Sequence, residues 1–137
     1  MNLKNPISTT REQSERLLAL GVKPETADMC YNMYFASAPP EINNYGADLY
    51  RDKRFIPSWS LARLLEMIPH SIEQTDRPNA DLNINADDTY WFVTYEELGY
   101  DVKHQVMKRD LFEAVIDMME WLVPNNHFNK EYLIDNP

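Results

Sequence analysis

The stretch Thr89-Tyr-Trp-Phe-Val-Thr-Tyr95 is dense in aromatic and β-branched residues, the types that fit a pleated and partly buried surface. Side chains alternate between the two faces of a strand, and both faces are apolar here, so we expect a central strand. Residues 96–100 follow as a turn in which Gly99 can take a positive φ, and residues 101–107 return as a second strand. Residues 81–85 alternate in the same way just upstream. The sequence therefore predicts a meander of three antiparallel strands.

A long amphipathic helix follows the last of these strands. Asp110 is a candidate N-cap with Glu113 three residues on, as in a capping box, and Pro124 ends the helical pattern. Large apolar residues recur inside it at helical spacing: Leu111, Phe112, Val115, Ile116, Met118, Met119 and Leu122. Burying such side chains stabilises a fold by roughly 1.5–3 kcal/mol each. We therefore expect this helix to cover one face of the sheet.

A second helix is predicted over residues 58–68. Ser58 or Ser60 can cap its start, and Pro69 stops it because proline cannot continue a helix. Four residues form its apolar face: Leu61, Leu64, Leu65 and Ile68. Trp59 stands just ahead of this face, so we expect it to pack over the first turn.

An additional N-terminal helix is predicted over residues 10–20. Thr9 and Glu12 have the spacing of a capping box, and Gly21 is well placed as the C-terminal cap. Residues 28–36 are compatible with a strand or a helix, and their high aromatic content favours the strand.

These elements predict an α+β fold. We expect a small, mostly antiparallel sheet of about three to five strands. The helices at 58–68 and 110–123 are expected to cover it, and the N-terminal helix is expected to dock at its edge.

The length allows one domain or at most two, and we expect a single domain that spans residues 1–137. With 44% hydrophobic residues, the chain can bury a core of its own. Its expected parts are a loose N-terminal lead-in (1–7), an irregular excursion (37–56), the core (57–123) and a C-terminal tail (124–137).

The charge of the chain is unevenly distributed. The net charge is −9, and acidic and basic residues cancel over residues 1–72, so the whole excess lies in residues 73–137. The surfaces of proteins that bind nucleic acid are instead enriched in lysine and arginine. The acidic half therefore argues against direct binding of nucleic acid.

The sequence also indicates the cellular setting. No charged segment followed by an apolar run occurs near Met1, so we expect no signal peptide. No apolar run approaches the ~20 residues that span a bilayer. Cys30 is the single cysteine, which rules out an internal disulfide. We expect a cytoplasmic protein that does not bind membranes.

Three segments resemble those of short hypothetical proteins from gut commensal bacteria and from their phages and mobile elements. The segments are residues 21–29 (GVKPETADM), residues 56–69 (IPSWSLARLLEMIP) and residues 90–122. Their shared features are a Trp-Ser-Leu helix opening and an aromatic strand that is followed by an acidic turn and a final helix. The resemblance implies a phage or mobile-element origin and an intracellular setting, and it transfers no catalytic residues.

Catalytic patterns are sparse in this sequence. His104 lies on the apolar side of a strand, where it can serve as a general base or, more simply, as a hydrogen-bonded histidine of a half-buried strand. His70 and His127 are expected in solvated loops. The oxygens of Asp81, Asn83, Asn85, Asp87 and Asp88 can hold calcium, but the spacing of an EF-hand is absent, which favours a solvated turn. We expect no cofactor and no metal.

Aromatic residues in the irregular first half are the better functional signal. Tyr45, Tyr50 and Trp59 are candidate binding residues, since aromatic side chains are enriched at protein interfaces. The alternative interpretation is that Trp59 and some tyrosines complete the core.

Three functional hypotheses follow. The first is a non-enzymatic accessory protein that binds another protein, because catalytic signatures are absent. The second is an inhibitor whose acidic half mimics DNA and occupies a basic groove. The third is an enzyme that uses His104 with acidic partners. A homodimer is a further expectation, because an edge strand of a small open sheet can pair with a second copy.

Overall fold

The computed structural model describes residues 6–33, 38–43, 50, 54–98 and 101–134. Its contacts divide the chain into two compact units. Unit 1 comprises residues 1–66 and 130–137, and unit 2 comprises residues 67–129. That residues 1–137 form a single domain stays a prediction.

The described helices and strands follow one another along the chain. In order they are α1 (Arg11–Ala19), β1 (Met29–Asn32), β2 (Glu41–Ile42), β3 (Phe55–Ser58), α2 (Leu61–Met67), β4 (Ser71–Ile72), β5 (Ala80–Ala86), β6 (Trp91–Glu97), β7 (Asp101–Lys108) and α3 (Leu111–Leu122). Short 3-10 turns cover Pro24–Thr26 and Lys130–Tyr132. The α+β class and the N-terminal helix are thus confirmed. The strands are shared between two antiparallel sheets, one of three strands and one of four.

Unit 2 contains the four-stranded sheet, in the order β4-β5-β6-β7. The predicted meander is confirmed, since β5, β6 and β7 pair consecutively and antiparallel. A β-bulge interrupts the β6–β7 pairing between Tyr95 and Glu96. Helix α3 packs against β6 and β7. It buries almost the whole predicted apolar set: Phe112, Val115, Ile116, Met118, Met119 and Leu122, together with Ala114.

The start of α3 is set by the residue that the sequence indicates. Asp110 has an extended backbone, and its Oδ1 accepts a hydrogen bond from the backbone N–H of Phe112 at 3.0 Å. An N-cap of this kind satisfies one of the free N–H groups at the start of a helix. The helix therefore begins directly after β7 and folds back onto the sheet.

Unit 1 contains the three-stranded sheet, in the order β2-β1-β3. Strand β1 lies in the stretch 28–36 for which a strand is expected, although residues 34–37 lie outside the described part. Strand β2 and the first residues of β3 fall inside the segment 37–56 predicted to be irregular. Pro57 is accommodated because β3 is an edge strand, where a missing N–H breaks no sheet hydrogen bond.

Helix α1 begins at Arg11, one residue later than predicted, and its N-cap is Thr10. The capping box is formed by Thr10 and Gln13, not by Thr9 and Glu12. Thr9 is fully buried, and its Oγ1 instead accepts from the backbone N–H of Trp59 at 3.1 Å. The correction has a tertiary cause, because a long-range partner occupies the Thr9 hydroxyl. At the other end Gly21 has φ +94°, as expected of a glycine that closes a helix.

Helix α2 is capped by Ser60, which decides between the two predicted serines. Its Oγ accepts from the backbone N–H of Arg63 at 3.1 Å and donates to Asp28 Oδ2 at 2.5 Å. Ser58 is buried at the end of β3, and its Oγ has no hydrogen-bond partner among the described residues. Asp28 thus joins the start of α2 to the start of β1.

In the part of the chain that the structure describes, no helix has both the length and the apolar character needed to cross a membrane.

Candidate functional site

The four-stranded sheet of unit 2 has two different faces. One face lies under α3, as shown by the ring contact of Tyr95 with Trp121 and the ion pair of Lys108 with Asp117. The other face, which we call the open face, carries the alternate side chains. The strand register arranges them in three rows: Asn85–Phe92–Met107, Asn83–Thr94–Gln105 and Ser71–Asp81–Glu96–Val102.

Hydrogen bonds between neighbouring strands organise the polar part of the open face. The amide of Gln105 donates to Thr94 Oγ1 at 3.1 Å, and the hydroxyl of Ser71 donates to Asp81 Oδ1 at 2.8 Å. The amide of Asn83 donates to the carboxylate of Glu96. These contacts hold the side chains in fixed positions across the sheet.

The open face also carries exposed apolar side chains on β7. Val102 is 55% exposed and Met107 is 50% exposed, at opposite ends of this face. Phe92 is half-buried beside Met107. The three rows contain two carboxylates and, among their described residues, no lysine or arginine. The open face therefore carries two carboxylates and has exposed apolar side chains near both of its ends.

His104 lies on the opposite face, against α3. Its imidazole stacks on the Trp121 indole with ring centroids 4.3 Å apart and planes 1° from parallel. His127 contacts the same indole at 5.3 Å. Two imidazoles thus flank one tryptophan at the end of α3, so His127 is half-buried and not in a fully solvated loop as expected.

Both histidines are shifted towards the neutral form. Partial burial lowers the pKa of His104 below its ordinary value of 6.5, because desolvation disfavours the charged imidazolium. The pKa of His127 is lowered by burial and, secondly, by the positive charge of Lys103. Both shifts favour the uncharged imidazole.

A polar cluster lies at the same end of the sheet. Glu97 is almost completely buried, and its carboxylate accepts from the Gln74 amide at 2.7 Å and from Arg77 at 2.8 Å. Lys103, the extra residue of the β-bulge, donates to Gln74 Oε1 at 2.8 Å. The hydrogen bonds from Gln74 and Arg77 hold the pKa of Glu97 below its usual value.

These groups have limited chemical capacity. A general base needs a positioned partner, and His104 has no side-chain hydrogen bond to a carboxylate among the described residues. Both carboxylate oxygens of Glu97 accept hydrogen bonds, one from Gln74 and one from Arg77. The described residues also contain no group of three His, Cys, Asp or Glu side chains that can hold a metal ion. The arrangement instead anchors the end of α3 to the β6–β7 hairpin.

The predicted binding residues occupy different environments in unit 1. Trp59 is 0% exposed, and its indole N–H donates to Thr26 Oγ1 at 2.9 Å, so it is a core residue. Tyr50 is half-buried; its hydroxyl donates to the Met29 carbonyl at 3.1 Å, and burial raises its pKa to about 12. Tyr45 lies outside the described residues. Neither described aromatic forms part of an exposed patch.

Several carboxylates of the acidic half make contacts within unit 2. Asp87 accepts from the backbone N–H groups of Thr89 and Tyr90, Asp110 caps α3, Asp117 pairs with Lys108, and Glu97 is buried. The acidic composition is therefore partly a structural requirement of this unit.

Some functional features have no clear signal in the sequence. The alternation of 81–85 and 101–107 indicates which side chains share a face, but it does not show which face α3 covers. Trp121 and Gln74 lie at positions that no motif singles out. The rows of the open face follow from the register of four strands, β4 to β7, which the sequence does not give.

The resemblance of the chain to short proteins of gut bacteria and their phages stays a prediction. The chain matches no family model, no curated protein and no solved structure.

Proposed function

We propose that the protein is a non-enzymatic accessory factor of phage or mobile-element type that binds another protein through the open face of its four-stranded sheet. The observation that carries the proposal is the exposure of Val102 and Met107 on a face that is ordered by cross-strand hydrogen bonds. A partner that covers this face buries both side chains, and the burial of apolar surface favours association.

The anatomy of the open face agrees with this function. A protein interface combines apolar contacts with polar groups that supply hydrogen bonds. Val102 and Met107 provide the apolar contacts. The amides of Asn83, Asn85 and Gln105 provide the polar groups. Since α3 already covers the other face, a partner on the open face completes a layered arrangement of the kind that domains use internally.

The test is a pull-down from the native host with the whole chain as bait. We expect the unmodified protein to retain one stoichiometric partner. The double change Val102→Asp and Met107→Asp should abolish its retention, because it places two charges in the contact. Ile42→Asp with Ile134→Asp is the matched control, since these residues are 69% and 50% exposed but lie in unit 1.

Circular dichroism and urea unfolding of each variant separate a loss of binding from a loss of folding. The proposal is rejected if no stoichiometric partner is retained. It is also rejected if the folded double variant retains the partner as well as the control does.

The two other hypotheses have less support. An enzyme needs an accessible base with a partner, whereas His104 is stacked on Trp121. A DNA mimic needs a regular array of exposed carboxylates, whereas Glu97 is buried and Asp117 pairs with Lys108. Each stays a prediction with its own test: unchanged activity in His104→Ala removes the first, and salt-independent association removes the second.

A further inference from the structure

Two carboxylates face each other at the centre of one row of the open face. Asp81 on β5 and Glu96 on β6 are direct cross-strand neighbours. Side chains in such pairs have Cβ atoms about 4.5–5.5 Å apart, and like charges there destabilise the sheet. Ser71 donates one hydrogen bond to Asp81, and Asn83 donates one to Glu96, but both donors are neutral.

No cation within the rows compensates for this pair. The rows of the open face hold no lysine or arginine among their described residues. The nearby basic residues serve the other face: Lys108 pairs with Asp117, and Lys103 donates to Gln74. A positive charge from outside therefore gains the attraction of both carboxylates and relieves their repulsion.

The apolar groups of the open face lie beside this acidic pair in its own row and two rows away from it. Phe92 and Met107 occupy one end row, and Val102 shares the row of Glu96. The end rows are four residues apart on β6, or about 14 Å at the usual rise of a strand. Residues seven or eleven positions apart lie on one side of a helix and are about 10 Å or 16 Å apart at 1.5 Å per residue, which brackets this distance.

We infer that the open face binds a basic amphipathic helix of a partner protein, with a lysine or arginine held between Asp81 and Glu96 and apolar residues against Met107 and Val102. The inference rests on the proposed function and adds the chemistry of the partner. Helix α3, which packs on the opposite face of the same sheet, shows that this sheet accepts a helix as a covering layer.

The test uses a phage-displayed library of random peptides, each about 16 residues long, or between four and five helical turns. The library is panned against the whole chain and then against the variant with Val102→Asn and Met107→Gln, which removes the apolar contacts without adding negative charge to this face. Peptides that bind only the unmodified chain report on the open face. We expect them to be enriched in lysine and arginine, with apolar residues at helical spacing.

A charge-matched pair of variants then tests the acidic pair with one selected peptide. Asp81→Asn with Glu96→Gln should weaken its binding about fivefold to tenfold, the range for two solvent-exposed ion pairs. Glu15→Gln with Glu25→Gln changes the net charge equally but alters exposed residues of unit 1, and it should leave affinity unchanged. The first pair should also keep or raise the urea midpoint, because it removes the repulsion.

Each outcome bears on the inference. If the peptides that need the open face are not enriched in lysine and arginine, the inference of a basic partner is wrong. The proposal that the open face binds a protein is then unaffected. Equal weakening by both variant pairs shows an effect of net charge alone and overturns the inference. If no selected peptide depends on Val102 and Met107, the open face is not a docking site and both the inference and its structural basis are rejected.

Discussion

At the scale of single residues, Trp59 shows how a functional candidate becomes a core residue. Its aromatic character predicts either an interface or the core. The structure encloses the ring and pairs its N–H with Thr26 Oγ1. Thr26 Oγ1 in turn donates to the Lys23 carbonyl at 2.6 Å, so the indole belongs to a chain of buried hydrogen bonds.

We predict that Trp59→Phe lowers the free energy of unfolding by about 1–3 kcal/mol, because it removes a buried hydrogen bond and leaves a small cavity. Urea unfolding measures the change. Thr26→Val removes the other partner, and the double variant should cost less than the sum of the two single changes. An unchanged stability of Trp59→Phe would mean that the ring is not part of the core.

The position of His104 predicts how the free energy of unfolding depends on pH. Its folded pKa lies below the ordinary 6.5, so between these two values the unfolded chain binds more protons than the folded one. The free energy of unfolding should therefore fall as the pH is lowered through 6.5 and below. His127 contributes in the same direction.

Urea unfolding at several pH values should show this slope, and His104→Gln should make it shallower. His70→Gln is the control, since His70 is exposed. An unaltered slope in His104→Gln would contradict the stacked, partly desolvated position of this histidine.

At the scale of elements, the start of α1 separates local from tertiary signals. Both Thr9 with Glu12 and Thr10 with Gln13 have the spacing of a capping box, and local sequence favours neither strongly. Thr9 also hydrogen-bonds to Ser14 Oγ at 2.8 Å, so the packing of unit 1 decides the choice.

We predict that Thr10→Ala costs about 1 kcal/mol of stability, as expected for the loss of an N-cap. Glu12→Ala should cost roughly 0.5 kcal/mol or less, because Glu12 is an exposed residue outside the capping box. Thermal or urea unfolding distinguishes them. A larger effect at Glu12 than at Thr10 would restore the capping box predicted from the sequence.

At the scale of the whole molecule, the response to acid depends on carboxylates that the fold stabilises in their charged form. The folded structure lowers the pKa of Glu97 and of Asp87, the latter through backbone N–H groups of Tyr90 and Thr89. Both contributions to stability are complete above the unfolded pKa values and are lost as the pH falls through the folded ones.

We therefore predict a steep loss of stability below about pH 4.5, the ordinary pKa of a glutamate. Glu97→Gln should flatten this part of the profile, since the amide cannot titrate, whereas Glu15→Gln on an exposed site of α1 should not. The measurement is the urea midpoint as a function of pH. An identical acid profile in Glu97→Gln would show that Glu97 is not stabilised as a carboxylate.

Local patterns determined much of this protein. Alternation along 89–95 and 101–107 and helical spacing along 110–123 are properties of neighbouring residues, so they predicted the meander, α3 and the cap at Asp110. The role of Gly21 as the C-terminal cap of α1 could be predicted for the same reason, because a left-handed φ after a helix favours glycine.

Tertiary structure alone decided the arrangement of the site. Glu97 meets Gln74 and Arg77 from positions 23 and 20 residues away, and His104 meets Trp121 from another element. Periodicity shows which side chains share a face, but it does not show what covers that face. The open face and its acidic pair therefore follow from strand register and from the side on which α3 packs, which only the folded chain specifies.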